Sequence, residues 1–260
     1  MGKRTSHPPG TLSWVHLATT DVGAAKAFYG RLFGWETEDN DAGDGATYTM
    51  CRISGDAVCG LFAMPDEMRA AGVPPNWTSY VTVVDADEAA ARTRDLGGDV
   101  VTDPFDVPDA GRMAVLRDPQ GAVFAVWQPG ASIGAERVND VGCLTNNELA
   151  TTDLAAARSF YEDLFGWTTE NVETGPNGPA MVAALNGGRL NANFTTVVGD
   201  VPPHWRPYFT VESTDATVKL VRELGGQVLL EPLTIPPGSI AMVLDPQGAL
   251  FALFEGEVDD

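Results

Sequence analysis

Two residues whose side chains can bind metal ions occupy the same position in a sequence segment that occurs twice in the chain. HLATTDVGAAKAFYGRLFGW begins at His16, and ELATTDLAAARSFYEDLFGW begins at Glu148. Imidazole nitrogens and carboxylate oxygens both bind divalent cations, and both side chains serve as general acids or bases. The chemistry that either can perform depends on which side chains the fold places beside it.

The chain is a tandem duplication. Residues 16–38 and 148–170 align without gaps and share 15 identities in 23 positions. Further along, RDLGGDV matches RELGGQV, and DPQGAVFAVW matches DPQGALFALF. Self-similarity at one long period indicates repeated structural units. The sequence therefore predicts two domains, at 11–130 and 140–257, joined by the Gly- and Pro-containing linker PGASIGAERVND.

Each copy repeats one smaller pattern. The alternation over Leu12–Ala18 predicts a strand, Thr20 or Asp21 is expected to cap the following helix, and Gly34 stands where that helix would end. Short strands follow, and the pattern restarts with SYVTVV and a helix that stops at Gly97. The order predicted for each copy is βαβββ–βαβββ, which makes the chain an α+β protein of four βαβββ modules.

The composition favours work on small molecules. Sixteen basic and 36 acidic residues give a net charge of −20, which disfavours binding to nucleic acid or to anionic membranes. No run of apolar residues reaches the ~18 needed to span a bilayer, and the N-terminal segment lacks the apolar core of a secretory signal. Three cysteines without a CxxC pair predict free thiols in a cytoplasmic protein. A monomer or a homodimer is expected.

These motifs resemble the vicinal oxygen chelate superfamily, which includes glyoxalase I, extradiol dioxygenases and bleomycin-resistance proteins. The resemblance rests on the βαβββ order, on FYGRLFGW at the end of the first helix and on DPQGAVFAVW at the end of the copy. It covers nearly the whole chain and is greatest to two-domain, actinobacterial glyoxalase-like proteins. It implies that the eight strands of each copy curl into a cup-shaped mixed sheet that holds a site.

The resemblance also implies three places that supply metal ligands in the metalloenzymes of the family. They are a His, Glu or Gln on the first strand, usually a His on the strand that reopens the second half, and a Glu in the last strand. The corresponding residues are His16 and Glu148 at the first place, Thr78 and Arg206 at the second, and Ala125 and Ala252 at the third. Each cup thus keeps one ligand of three, so no metal or other cofactor is expected, with a divalent metal as the alternative.

The expected strand register places further residues in the cups. The resemblance sets this register, because VTVVD stands at the place of an apolar-x-Val-x-Asp run in the family. It implies that Tyr80 and Tyr208 face inward while Val81 and Phe209 pack under the helices, since side chains alternate along a strand. Glu148 should be paired with the facing Arg206, since a carboxylate is not buried without a partner. The expected ligand-binding residues are His16, Thr78, Tyr80, Trp127, Glu148, Arg206, Tyr208 and Phe254.

Tryptophans before the reopening strands, the DPQG turn and two further histidines complete the set of noted residues. Trp77 and Trp205 are interpreted either as structural residues or as lids over the cups, and the DPQG turn is given no chemistry. His7 and His204 are assigned to a tail and to a loop, where neither replaces a missing ligand.

Three hypotheses follow for function. The first is a metal-free protein that binds a small aromatic or apolar metabolite or drug. The second is a glyoxalase-like lyase, isomerase or dioxygenase that uses a metal, or that uses His16 or Glu148 as an acid–base catalyst. The third is a scaffold whose cups have lost all ligands.

Overall fold

Each copy folds into one eight-stranded mixed sheet. The structure, a computed structural model, describes residues 2–43, 45–173, 180–236 and 238–258. The first sheet has the order β2-β3-β4-β1-β5-β8-β7-β6, and the second has the order β10-β11-β12-β9-β13-β16-β15-β14. In both, the first strand of the copy pairs antiparallel with the strand that reopens the second half. The predicted architecture is confirmed, and the concave faces are called the first and the second cup.

The elements follow the predicted order, with one short extra helix, α2. In the first copy they are β1 (Leu12–Thr19), α1 (Val22–Phe33), β2 (Glu36–Asp41), β3 (Thr47–Ile53), β4 (Asp56–Ala63), α2 (Asp66–Ala70), β5 (Asn76–Thr82), α3 (Ala86–Asp95), β6 (Asp99–Val107), β7 (Gly111–Arg117) and β8 (Val123–Pro129). In the second copy they are β9 (Leu144–Thr151), α4 (Leu154–Phe165), β10 (Thr168–Val172), β11 (Met181–Asn186), β12 (Arg189–Thr196), β13 (His204–Thr210), α5 (Thr214–Glu223), β14 (Gln227–Ile235), β15 (Gly238–Leu244) and β16 (Leu250–Gly256).

The repeated segment contains the residues that begin and end its helix, α1 in the first copy and α4 in the second. Asp21 caps α1 by accepting a hydrogen bond from the Ala24 amide at 2.9 Å, and Asp153 caps α4 in the same way. Gly34 ends α1 in the left-handed conformation, with φ of 73°, where a side chain would be strained. None of the helices in the described ranges is long and apolar enough to cross a membrane.

The helix-facing sides form two main cores, and both copies contribute to each. Tyr29 of α1 packs with Phe251 of β16 at a ring-centroid distance of 5.6 Å, and Tyr161 of α4 packs with Phe124 of β8 at 5.6 Å. The helix-facing sides thus give two cores, and each is built from both copies. Each copy covers its helix-facing surface with the other copy, since an exposed apolar face is unfavourable.

Three motifs recur in both copies because their side chains form buried hydrogen bonds with one another: the tryptophan before the reopening strand, the tyrosine of the first helix and the DPQG turn. Trp205 donates to the Tyr161 hydroxyl at 3.0 Å, and that hydroxyl donates to Asp118 of the first copy at 3.1 Å. Gln120 of the same DPQG turn bonds the main chain of Asp153 at the start of α4. The equivalent residues at the other core are Trp77, Tyr29 and Asp245. The tryptophans are thus structural residues of the cores rather than lids, and DPQG joins the copies.

The linker packs against the first sheet. The Ala135 amide donates to the Ser13 carbonyl at 2.8 Å, and Arg137 donates through Nε to Asp56 at 2.9 Å. Ala135 is fully buried in the apolar cluster of the first cup. The linker therefore forms part of the wall of that cup.

Candidate functional site

The central strands β5 and β13 place their side chains as the register predicted. Tyr80 belongs to the apolar cluster of the first cup, and the Tyr208 hydroxyl reaches Glu148 inside the second cup. Val81 and Phe209 lie in the two helix-side cores. The predicted alternation is confirmed, so the ligand positions inferred from it can be located in the structure.

In the first cup, His16 is bonded to a tyrosine and surrounded by rings. The Tyr80 hydroxyl lies 2.9 Å from His16 Nδ1, and the Phe62 ring lies 4.6 Å from the imidazole between centroids. Thr78 is the register partner of His16, and Ala125 is that of Tyr80. Desolvation by burial lowers the pKa of His16 from 6.5 to about 3, so the imidazole is neutral at physiological pH.

The first cup is filled largely by its own side chains. The Tyr48 ring lies across Gly60, where an added Cβ would come within 1.9 Å of the Tyr48 hydroxyl oxygen. Trp14 donates to that hydroxyl at 3.1 Å, and Trp127 packs in the same cluster while its indole N–H donates to the Ser132 carbonyl. Aromatic residues and the linker thus occupy the space that a ligand would need.

The second cup contains the predicted ion pair within a larger hydrogen-bonded cluster. Arg206 Nη2 donates to Glu148 Oε1, and the two residues are directly opposite each other in the pairing of β9 with β13. Glu148 also accepts hydrogen bonds from the Tyr208 hydroxyl at 2.6 Å and from the Thr195 hydroxyl at 2.8 Å. Glu148 is 6% exposed and Arg206 7% exposed, so the pair is enclosed.

The charges in this cluster stabilise one another. Burial raises the pKa of Tyr208, and the Glu148 carboxylate raises it further, which keeps the phenol protonated as a donor. Burial is the largest single effect on the pKa of Arg206 and would lower it, but the charge of Glu148 and the interactions with Tyr208 together outweigh burial and leave the pKa raised. The cluster therefore holds a guanidinium and a carboxylate whose charges cancel.

Three buried polar atoms on the cup-facing side of β13 have no protein partner among the described residues. They are His204 Nε2, Arg206 Nε and Thr210 Oγ1. Buried polar atoms are nearly always hydrogen-bonded in folded proteins, and each atom that is not costs about 1–3 kcal/mol. Their alternation along one strand places all three on the same face.

His204 is a site residue that the sequence analysis missed. It is the first residue of β13 and pairs with Ala150, whereas the PPHW segment was interpreted as a loop. Burial lowers the pKa of His204, and the nearby charge of Arg206 lowers it too, against opposing effects of the Pro202 carbonyl and Glu148. Strand parity counted back from Arg206 would have placed His204 in the cup.

Besides the ligand positions, five further lining positions distinguish the two cups. The register places Trp14, Tyr48, Met50, Gly60 and Phe62 of the first cup at the positions of Asn146, Met181, Ala183, Asn193 and Thr195 of the second. Four of these five second-cup residues are smaller than their first-cup counterparts, and three aromatic rings are replaced. At these positions the second cup therefore carries smaller side chains, and fewer rings, than the first.

An apolar wall stands beside the polar cluster of the second cup. Phe254 lies in this wall as predicted, and Ala252 is the register partner of Tyr208. The wall residues are only half-buried or exposed, so they are open to a ligand. They are Leu230, Leu233, Ile240, Met242 and Phe254.

The residues of neither cup fit a divalent metal. Both Glu148 oxygens are engaged by donors, one of them a cationic guanidinium that would repel a metal ion. In the first cup His16 faces Thr78 and Gly60, which offer no charged ligand. In the part of the chain that the structure describes, no cluster of three His, Cys, Asp or Glu side chains could hold a metal. The absence of a metal cofactor stays a prediction.

Comparison with known proteins gives the family. The chain matches the Glyoxalase/Bleomycin resistance protein/Dioxygenase superfamily over residues 11–126 and 142–253. It is 39% identical over 257 residues to a Mycobacterium tuberculosis protein named "Putative glyoxylase CFP32", covering 98% of each. It is 37% identical to "Anthracycline biosynthesis protein DnrV" of Streptomyces peucetius, covering 96% of this chain and 95% of that one.

Solved structures share the fold at low sequence identity. The 2,3-dioxygenase LapB from Pseudomonas sp. KL28 has a TM-score of 0.66 at 15% identity, covering 97% of this chain and 95% of that one. The Mn(II)-bound glyoxalase from Novosphingobium aromaticivorans has a TM-score of 0.65 at 15% identity, covering 96% and 84%. At these identities the likeness extends to the fold alone.

Proposed function

Because the chain belongs to the Glyoxalase/Bleomycin resistance protein/Dioxygenase superfamily and its second cup contains buried polar atoms without protein partners, we propose that this cup binds a small molecule. The carrying observation is that three such atoms lie on one face of β13. A bound ligand that supplies their hydrogen-bond partners removes the cost of leaving them unpaired. The function we infer is binding without a metal, with the first cup acting as a structural counterpart.

The ligand has a flat or apolar body. The wall beside the polar cluster is aliphatic and aromatic, which is the usual composition of small-molecule sites with few polar groups. Phe254 and Met242 represent this wall on adjacent strands. We further propose that the protein acts in the cytoplasm, since its three cysteines are free thiols, and that it works as a monomer or a homodimer.

Thermal denaturation with a panel of aromatic metabolites and drugs tests this proposal. The Streptomyces relative is named an anthracycline biosynthesis protein, so an anthracycline belongs in the panel. A ligand present at 100 times its dissociation constant stabilises the folded protein by about 2.7 kcal/mol. A panel that leaves the melting temperature unchanged throughout would count against the proposal.

A matched pair of variants assigns the binding to one cup. Met181→Tyr combined with Asn193→Gly copies the Tyr48–Gly60 arrangement into the second cup and should fill it. Asn76→Ala changes the rim of the first cup and should leave binding intact. Binding that survives the filled second cup would place the ligand elsewhere.

Acid–base catalysis is a second candidate, favoured by His204, whose pKa is lowered by burial and whose Nε2 has no partner among the described residues. A positioned imidazole with a free nitrogen can remove a proton from a bound ligand. His16 and Glu148, the candidates that the sequence suggested, are less suited because their polar atoms already have partners. Turnover of a ligand that binds, lost on His204→Phe with binding retained, would favour the enzyme over the binding protein.

A further inference from the structure

The two ring nitrogens of His204 have different environments. Nδ1 lies 2.9 Å from the Pro202 carbonyl, which can only accept, so Nδ1 carries the proton of the neutral ring. Nε2 is then a bare acceptor, and it is buried without a partner in the described structure. The missing partner must be a donor, such as a hydroxyl or an N–H group of a ligand.

Arg206 has the opposite requirement. Its Nη2 is committed to Glu148, whereas its Nε–H is buried with no acceptor among the described residues. The missing partner is an oxygen that accepts. Because Glu148 already balances the guanidinium charge, an acceptor without charge fits better than a carboxylate, which would bring a second negative charge beside Glu148.

The spacing of the two residues along β13 is the guide to how far apart these two ligand groups lie. His204 and Arg206 are two residues apart on one strand face, which separates their Cα atoms by roughly 6.5–7 Å. A hydroxyl and a carbonyl on neighbouring atoms would be too close together to reach both. Groups several ångströms apart on one edge of a ring match the spacing, and the apolar wall accepts the rest of the molecule.

We propose that the second cup selects neutral aromatic ketones that carry a hydroxyl meta to the carbonyl. This inference rests on the proposed function of the cup as a binding site. The hydroxyl donates to His204 Nε2, and the carbonyl accepts from Arg206 Nε. Thr210 Oγ1, which can donate or accept, lies further along the same face of the strand. His204 is then the residue that determines specificity for the hydroxyl.

Three matched probes test the hydrogen-bond pattern by calorimetric titration of the intact protein. They are 7-hydroxy-1-tetralone, its methyl ether 7-methoxy-1-tetralone, which has no donor, and 5,6,7,8-tetrahydro-2-naphthol, which has no carbonyl. Leaving one buried group unpaired should weaken binding about tenfold. We therefore expect the hydroxy ketone to bind about tenfold more tightly than either of the other two.

The His204→Phe variant should abolish the preference for the hydroxyl over the methyl ether. Asn76→Phe is the matched control, because Asn76 holds the equivalent rim position of the first cup and also bonds a proline carbonyl, at 2.8 Å. Circular dichroism establishes that both variants fold. If His204→Phe does not fold, the comparison of three probes on the unmodified protein decides alone.

The outcomes separate the two levels of the proposal. Equal affinities for all three probes, or a hydroxyl preference that survives His204→Phe, would overturn the ligand class while leaving a binding cup. No binding of any probe, together with no thermal shift across the panel, would overturn the proposed function and the ligand class with it.

Discussion

The Glu148–Arg206 pair allows the chemistry of the second cup to be tested through stability. The change is Glu148→Gln and Arg206→Met, made singly and together. With the two residues 6% and 7% exposed, water cannot hydrate the charge that a single substitution leaves behind. Removing one partner of a buried pair typically costs about 3–5 kcal/mol.

The structure indicates the lower part of that range for each single variant. Tyr208 and Thr195 donate to different oxygens of Glu148, so the single carbonyl oxygen of glutamine at 148 still serves one of them, and methionine at 206 still fills the space of the arginine stem. We expect about 3 kcal/mol for each single variant and about 3–4 kcal/mol for the double variant. The coupling energy is then about 2–3 kcal/mol. Each single variant should lower the melting temperature by roughly 6–12 °C, at about 2–4 °C per kcal/mol for a chain of this size.

Urea unfolding followed by tryptophan fluorescence measures the four free energies of unfolding in this cycle. The control cycle is His16→Gln with Thr78→Ala, at the same two positions of the first cup. Those side chains form no ion pair, and coupling below about 0.5 kcal/mol is expected. Additive effects of the Glu148 and Arg206 substitutions would refute the reasoning, as would equal coupling in the two cups.

Further predictions concern the first cup, the cores, pH and metal. Gly60→Ala should destabilise the protein by about 1–3 kcal/mol in urea unfolding because its Cβ meets the Tyr48 hydroxyl, and a neutral effect would mean that the ring moves freely. Tyr161→Phe should lower the free energy of unfolding by about 1–3 kcal/mol, because Asp118 and Trp205 each lose a buried hydrogen-bond partner. Melting should remain one transition, and separate transitions for the two copies would contradict the shared cores. Burial lowers the pKa of His16 from 6.5 to about 3 in the folded protein, so its contribution to stability should fall as pH drops from 6.5, by at most about 1.4 kcal/mol per pH unit. The acid slope of unfolding free energy should be shallower for His16→Gln, and an unchanged slope would show that His16 titrates normally. Elemental analysis of protein purified without added metal or chelator should find far less than one zinc, iron or nickel per cup; a stoichiometric metal would contradict the assignment of the ligand positions.

Much of the fold could be predicted because it depends on local and periodic signals. The identity of the two copies, the helix caps at Asp21 and Asp153 and the stop at Gly34 are properties of short segments. Strand alternation, anchored on the family resemblance, then assigned Tyr80 and Tyr208 to the cups. A period of two allows only two choices for each strand, and a one-residue slip would reverse every side chain.

The pairing of Glu148 with Arg206 could also be predicted, since both were assigned to ligand positions that converge on one point and a buried carboxylate requires a partner. His204 could not be found in the same way. Its PPHW context is typical of a loop, and only the pairing of β13 with β9 shows that the strand already begins at this residue.

The sequence by itself determined the duplication and the α+β class, because both are fixed by residue type and spacing along the chain, and its resemblance to a known family added the strand faces and the changed ligand positions. Only the tertiary structure decided that each core is shared between copies and that Trp205 bonds Tyr161 inside one of them. Only the tertiary structure, likewise, showed that Tyr48 fills the first cup while His204, Arg206 and Thr210 keep unpartnered atoms in the second. Such facts depend on contacts between residues far apart in sequence, and whether a cup is full or open is a matter of packed volume, which no periodicity records.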